Sequence, residues 1–176
     1  MNLSFRPDLA SARPLLFIDF EASSLSPESW PIEIGVAWID GGEARSHATV
    51  IAPRPDWPLA DWAAYAEAVH GVPLAAVLAG APADRVAAET DALAGFALVS
   101  DNPRWDQAWL DRLRGPDRPR IAVGGLRQAM AERLHGHAAD DLAMRLFREP
   151  RPHRAGPDAE RLARAWAAAE RVGLAA

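Results

Sequence analysis

Apolar and polar positions follow two different rhythms along the chain. The first third reads as extended. Leu15-Leu16-Phe17-Ile18 is an unbroken apolar run that closes on Asp19-Phe20-Glu21. A short run of this kind bounded by polar residues predicts a buried strand, placed at 15–20. A loop rich in Ser and Pro follows over 21–31, and a mostly apolar segment at 32–39 predicts a second, interior strand. Asp40-Gly41-Gly42 is a hairpin turn signal, with a third strand expected at 44–51. Three strands before any helix predict an antiparallel meander.

Beyond residue 52 the rhythm changes. The Pro-rich stretch 53–58 leaves no room for regular structure. A helix is expected at 61–69, stopped by His70-Gly71, where Gly suits a C-terminal cap. A short apolar turn after Pro73, a helix at 83–93 and a buried strand at 96–99 come next. Ser100-Asp101-Asn102-Pro103 breaks that strand, and Asp101 is read as a cap for the helix at 103–114. That helix carries Trp105, Ala108, Trp109 and Leu113 on one apolar face. After a loop at 115–119, a short strand is expected at 121–123 and helices at 126–134, 137–147 and 154–172. This order points to an α/β layer built on a mixed sheet.

Length and composition narrow the class. A chain of 176 residues with 49% hydrophobic content is expected to form a single domain, 1–176, with a sizeable core. Residues 1–13 read as a frayed leader without the layout of a secretory signal, and no stretch approaches the ~20 apolar residues of a membrane span. With no cysteine, disulfides, thiolate metal ligation and Cys nucleophiles are excluded, and a cytoplasmic location fits. The net charge of −5 argues against a broad basic surface. Charge is uneven, however: residues 1–100 hold 5 Arg against 13 acids, and residues 101–176 hold 14 Arg against 11. All 19 basic residues are Arg, which a base-composition bias in the coding DNA would explain. The asymmetry between the halves is left open.

The chemistry gathers at three acidic sites. Asp19 and Glu21, two apart on a strand, project from one face. Two anions held so close repel, and a divalent cation between them relieves the cost. Asp106 follows the strand at 96–99. His153 and Asp158, five apart, open the last helix. Each lies where an α/β sheet presents functional groups. Ser23, Ser24 and His153 could suggest a Ser hydrolase, but nothing reads as a strained nucleophile elbow.

Taken together, Asp19-Phe20-Glu21, Asp101-Asn102-Pro103-Arg104-Trp105-Asp106 and His153 to Asp158 resemble the DnaQ-like 3′→5′ exonucleases of the DEDDh subgroup. That group includes ribonuclease T, oligoribonuclease and the proofreading subunit of bacterial replicative DNA polymerase. Its pattern is Asp-x-Glu, then His/Asp-Asn-x-x-aromatic-Asp, then His-x(4)-Asp. The resemblance implies an RNase H-like fold with a mixed five-stranded sheet, the second strand antiparallel, flanked by helices. It implies hydrolysis of single-stranded DNA or RNA from a free 3′ end with two divalent cations, and oxygen ligands suit Mg²⁺ or Mn²⁺. Asp19 would bridge both ions, Glu21 and Asp158 would bind the ion holding the attacking water, and Asp106 would support the other. His153 would be the general base.

The same resemblance assigns substrate contacts. Ala22, Ser23 and Leu25 would hold the terminal nucleotide, with Leu25 as a wedge against the last bases. His70 of the His-Gly element and Asn102 would lie near the nucleotide pocket. Leu25 folded onto the core and His70 as a plain helix stop stay open beside these readings. The position before Asn102 is often His in the family and is Asp101 here, which leaves Asp101 as an alternative middle acid. Trp105-Asp106 fits the aromatic-Asp pattern and favours Asp106. Trp30, Trp57 and Trp62 are expected in the core rather than stacking on bases. No membrane partner is expected, a homodimer is left open, and no polymerase-tethering tail is visible before Ala176. Two alternatives are oligoribonuclease-like degradation of short RNA and a non-catalytic nucleic-acid-binding or polymerase-associated module. The second is disfavoured, since clustered anions next to phosphate give a binder nothing.

Overall fold

A computed structural model describes residues 13–174, so all of the expected leader except Arg13 lies outside the described residues. The strands are β1 (Leu15–Ala22), β2 (Pro31–Asp40), β3 (Glu43–Ala52), β4 (Ala81–Pro82), β5 (Ala97–Ser100) and β6 (Val123–Gly125). They form one mixed sheet in the order β4-β3-β2-β1-β5-β6. β2 pairs antiparallel with β1 and β3, and every other pairing is parallel. The meander and the reversed second strand are as expected, but the sheet has six strands rather than five. The extra strand is β4, whose two residues pair with Ile51 and Ala52 and are too few to leave a periodic signal.

The helices are α1 (Ala64–His70), α2 (Leu74–Leu78), α3 (Ala83–Glu89), α4 (Pro103–Arg114), α5 (Leu126–Arg133), α6 (Ala138–Arg148) and α7 (Ala155–Leu174). Strand alternation divides them between two faces. Leu16, Ile18 and Phe20 of β1 join Ile32, Ile34 and Val36 of β2 in a core closed by residues of α2, α3 and α4. Trp30, fully buried there, stacks on Trp57 at 6.1 Å and donates its indole N–H to the Pro58 carbonyl at 3.0 Å. Trp57 is buried in the same core, and Trp62 is partly buried against it. Phe17, Ala37 and Val99 face the other way, against Leu142, Leu162 and Trp166. This alternation turns Asp19 and Glu21 toward α7.

Several boundaries differ from the sequence expectation for physical reasons. β1 runs on through Ala22, so Glu21 and Ala22 stand on the strand rather than in the loop. The helix expected at 61–69 begins only at Ala64, after a separate 3-10 turn over Leu59–Asp61. The helix expected at 83–93 ends at Glu89 and tightens into a 3-10 segment, Thr90–Gly95. There the Thr90 hydroxyl donates to the Ala87 carbonyl at 2.6 Å, competing with the helical ladder. The last sheet strand starts at Val123 instead of Ile121 because Gln107 of α4 engages this stretch. Its amide donates to the Ile121 carbonyl at 3.1 Å and accepts from the Val123 N–H at 2.8 Å.

The first turn of α7 is seated directly on the acid-bearing part of the sheet. Gly35 on β2 is the register partner of Asp19. A Cβ at Gly35 would lie 2.1 Å from the Ala155 carbonyl carbon, and one at Gly156 would lie 2.8 Å from the Ala48 side chain. The start of α7 therefore rests on the main chain of the sheet. Glu33, the register partner of Glu21 and only 2% exposed, holds it there. Glu33 accepts from Arg154 Nε and Nη2 at 3.0 and 2.6 Å and from the Ala155 N–H at 3.0 Å. A carboxylate on the unpaired N–H groups of a helix start is favourable in both hydrogen bonding and dipole. Among the described residues no helix is long and apolar enough to cross a membrane.

Candidate active site

Asp19, Glu21 and Asp158 converge at the point where β1 meets the first turn of α7. Each offers one carboxylate oxygen, and the three oxygens lie within 4.8 Å of one another. Asp19 and Asp158 are buried, and Glu21 is half-buried. The pKa values record how poorly such anions are satisfied. Burial, then the charges of Asp106, Glu21 and Asp158, pushes Asp19 well above the usual carboxylate range. Burial, with Asp158 and Glu33 nearby, raises Glu21 to about 8. Asp158 is raised by burial despite the opposing charge of Arg151. Its Oδ2 accepts from the Arg154 N–H at 3.2 Å, but its Oδ1 is buried with no hydrogen-bond partner among the described residues. Leaving a buried acceptor unmatched costs roughly 1–3 kcal/mol.

Asp106, in the first turn of α4 and 1% exposed, approaches from the other layer. Burial raises it to about 7, although the Ser100 hydroxyl and the Phe20 N–H both donate to it. Ser100 in turn accepts from the Asn102 N–H at 2.8 Å, so the end of β5 fixes the acid's position. Sequence reasoning passed over Ser100, whose signal was a Ser placed directly after an apolar strand. Asp101 is not a helix cap. It lies at the rim and forms an ion pair with Arg151, while the N-cap of α4 is Asn102, exposed and with no side-chain capping bond. Asp106 is buried and Asp101 exposed, and the charges of both raise Asp19, Asp106 the more strongly.

His153 precedes α7 by two residues, is exposed, and has a left-handed backbone with φ of 54°. That region costs a residue with a Cβ about 1–2 kcal/mol. Its charge is felt by Asp158.

The 22–26 segment is fastened from outside. Ser23 and Ser24 donate to Asp61 Oδ2 at 2.9 and 2.7 Å, and Ser26 donates to Oδ1. The Leu25 N–H donates to the Tyr65 hydroxyl at 3.1 Å. Ala22 is buried, and the Ser23 hydroxyl is buried and engaged with Asp61 and the Trp30 N–H, so the Ser23 side chain shapes the loop rather than facing outward. Leu25 is 57% exposed and is not folded onto the core. His70 is buried beneath Trp62, and burial lowers its pKa. Its Nδ1 accepts from the Val72 N–H at 3.0 Å, which puts the ring hydrogen on Nε2, a buried atom with no partner among the described residues. The helix stop is Gly71, at φ of 66°.

No family model matches the sequence, and no curated protein matches it at a significant level. Solved structures do. A 3′-exonuclease that recognises the 3′ end of the histone mRNA stem-loop aligns with a TM-score of 0.67 at 15% identity, over 92% of this chain and 83% of that one. The nuclease domain of 3′hExo, a DEDDh family member bound to rAMP, aligns at 0.63 and 13%, over 92% and 93%. The zinc-bound complex of E. coli ExoI with single-stranded DNA aligns at 0.62 and 15%, and this chain spans only 41% of that one. The chain thus has the RNase H-like fold. That is the fold these exonuclease structures share with this chain.

Proposed function

We propose that the protein is a metal-dependent 3′→5′ exonuclease that hydrolyses phosphodiester bonds at the 3′ end of single-stranded DNA or RNA and releases nucleoside 5′-monophosphates. One observation carries this reading: three carboxylate oxygens within 4.8 Å, beside a buried Asp158 oxygen that no donor among the described residues satisfies. An all-oxygen donor set of this kind fits hard cations, Mg²⁺ or Mn²⁺. Asp19, Glu21, Asp106 and Asp158 would hold two of them. Bound divalent ions supply an acidified water and charge stabilisation at the leaving oxygen.

The remaining work falls to the chain. His153 accepts the proton of the attacking water, and its left-handed backbone supports a functional rather than a structural reason for a non-glycine residue there. The fastened 22–25 segment orients the terminal nucleotide, with Ala22 and Ser23 shaping its floor and Leu25 against the last base. The free Nε2–H of His70 and the exposed Asn102 are the further contacts. Neighbours of the same fold hold single-stranded DNA in one case and rAMP in another, which supports a nucleic-acid substrate. A chain without cysteine suits the reducing cytoplasm, where we place it.

The test uses 3′-labelled and 5′-labelled DNA and RNA oligonucleotides with Mn²⁺ or with EDTA. Stepwise loss from the 3′ end that EDTA abolishes is the expected result. Cutting a circular strand as fast as a linear one would make the enzyme an endonuclease. Binding without cleavage, indifferent to EDTA, would favour the binding module. Activity confined to RNA of a few nucleotides would select the oligoribonuclease-like reading.

A further inference from the structure

Two arginines flank the acid cluster, and they are used differently. Arg154 has its guanidinium occupied by Glu33, and this pair clamps α7 to the sheet. Arg151, in the loop between α6 and α7, has a single engagement, Nη2 with Asp101 on the loop after β5. Its side chain is 41% exposed, and no hydrogen bond from its Nε or Nη1 is present among the described residues. Its charge nevertheless reaches all four acids: it opposes the upward shifts of Glu21, Asp106 and Asp158, and Asp19 raises its own pKa. An open edge of a planar guanidinium beside a cluster of anions presents donors that no acceptor among the described residues uses.

We propose that Arg151 grips the phosphate of the scissile nucleotide, with Asp101 as the positioning residue that holds the guanidinium at the rim of the acid cluster. The inference rests on the nuclease reading of the site. Guanidinium N–H groups match two phosphate oxygens at once and favour the extra negative charge that the phosphoryl group gains during hydrolysis. Asp101 keeps Arg151 from collapsing onto Asp19 and Asp158, where it would compete with cations for the same oxygens. The residue standing where the resembled family often has His thereby acquires a role distinct from the middle acid.

The experiment compares wild type, Arg151→Gln, Arg151→Lys, Asp101→Asn and the Arg151→Gln, Asp101→Asn double variant. Calorimetry gives the affinity for Mn²⁺ alone and then for adenosine 5′-monophosphate in saturating Mn²⁺, and turnover is measured on a short oligonucleotide. Arg151→Gln should bind Mn²⁺ as well as wild type or more tightly, bind the monophosphate at least ~10-fold more weakly, and lose about 10²-fold in kcat. Arg151→Lys should recover only part, because a point charge lacks the fork. Asp101→Asn should show a smaller loss of the same kind, adding nothing on top of Arg151→Gln. Monophosphate affinity unchanged in Arg151→Gln overturns the proposal. So does a parallel loss of Mn²⁺ affinity and melting temperature, which would make Arg151 a structural counter-ion. A wild type with no Mn²⁺-dependent cleavage would refute the nuclease reading instead, and the calorimetric arm would still decide Arg151.

Discussion

Asp61 and Asp158 both accept hydrogen bonds from loop residues, and the chain treats them in opposite ways. Asp61 receives three serine hydroxyls. Burial works against its charge, but the hydroxyls of Ser24, Ser26 and Ser23 outweigh it and hold the carboxyl below its usual range. Asp158, with Asp19, Glu21 and Asp106, is pushed the other way by burial. Only some of their oxygens meet donors. Where the protein completes an anion, it has built a strut. Where it buries several and leaves them incomplete, they hold their protons more tightly, and under the proposed reading a cation takes the protons' place.

Four experiments sharpen or break that contrast. The largest effect is expected from Asp19→Asn, which should cut hydrolysis by at least about 10²-fold. In EDTA at pH 8 the same change should leave the melting temperature equal or higher, because it removes a repelled charge. A destabilised variant would show that Asp19 is a structural group. Next, His153→Asn should slow single-turnover cleavage by about 10²-fold while Mn²⁺ affinity is kept. Retention of the full rate would reduce His153 to a loop residue.

The third experiment is a pH series without metal. The cluster's acids have folded pKa values above their unfolded ones, so the folded state binds more protons in between. Stability in EDTA should be greatest at low pH within the folded range. It should fall as pH rises from the ordinary value, 4.5 for Glu21, through about 8. Excess Mn²⁺, which binds the deprotonated form, should flatten or reverse the slope. Thermal melts at pH 5, 6, 7 and 8 with and without Mn²⁺ check this, and a slope indifferent to metal would count against a cation site. The smallest effect belongs to the strut. Asp61→Ala should cost about 1–2 kcal/mol, held down by its partial exposure, and raise KM for oligonucleotides more than it lowers kcat. Unchanged KM would show that the 22–26 segment needs no such brace.

How much of this could be read from the sequence depended on how local the cause was. Asp19 and Glu21 were legible because strand alternation is a local rule. Asp106 and the His153 to Asp158 segment were pointed to by a resemblance, and of these the structure brings Asp158 together with Asp19 and Glu21. Asp61 was not, since its serine partners lie 35 to 38 residues away. Glu33 and Arg154 are 121 residues apart, and no pattern within either segment marks the pair. Asp101 misled because Asp before Pro-headed helices so often caps them, whereas its partner Arg151 comes from a loop 50 residues on. β4 was invisible because two residues carry no period.

Gly35 has a consequence for anyone wishing to re-engineer this site. The helix carrying Asp158 touches the sheet at Gly35 through main-chain atoms, so the spacing across the acid cluster is set by a hard stop and not by side-chain rotamers. Repacking the apolar face of α7 should alter stability while leaving that spacing alone. A methyl group at position 35 would act as a shim. It would lift the start of the helix bodily and carry Asp158 away from Asp19 on the neighbouring strand. Position 35 is thus a place to tune the spacing of the three carboxylates from a residue that carries no charge itself.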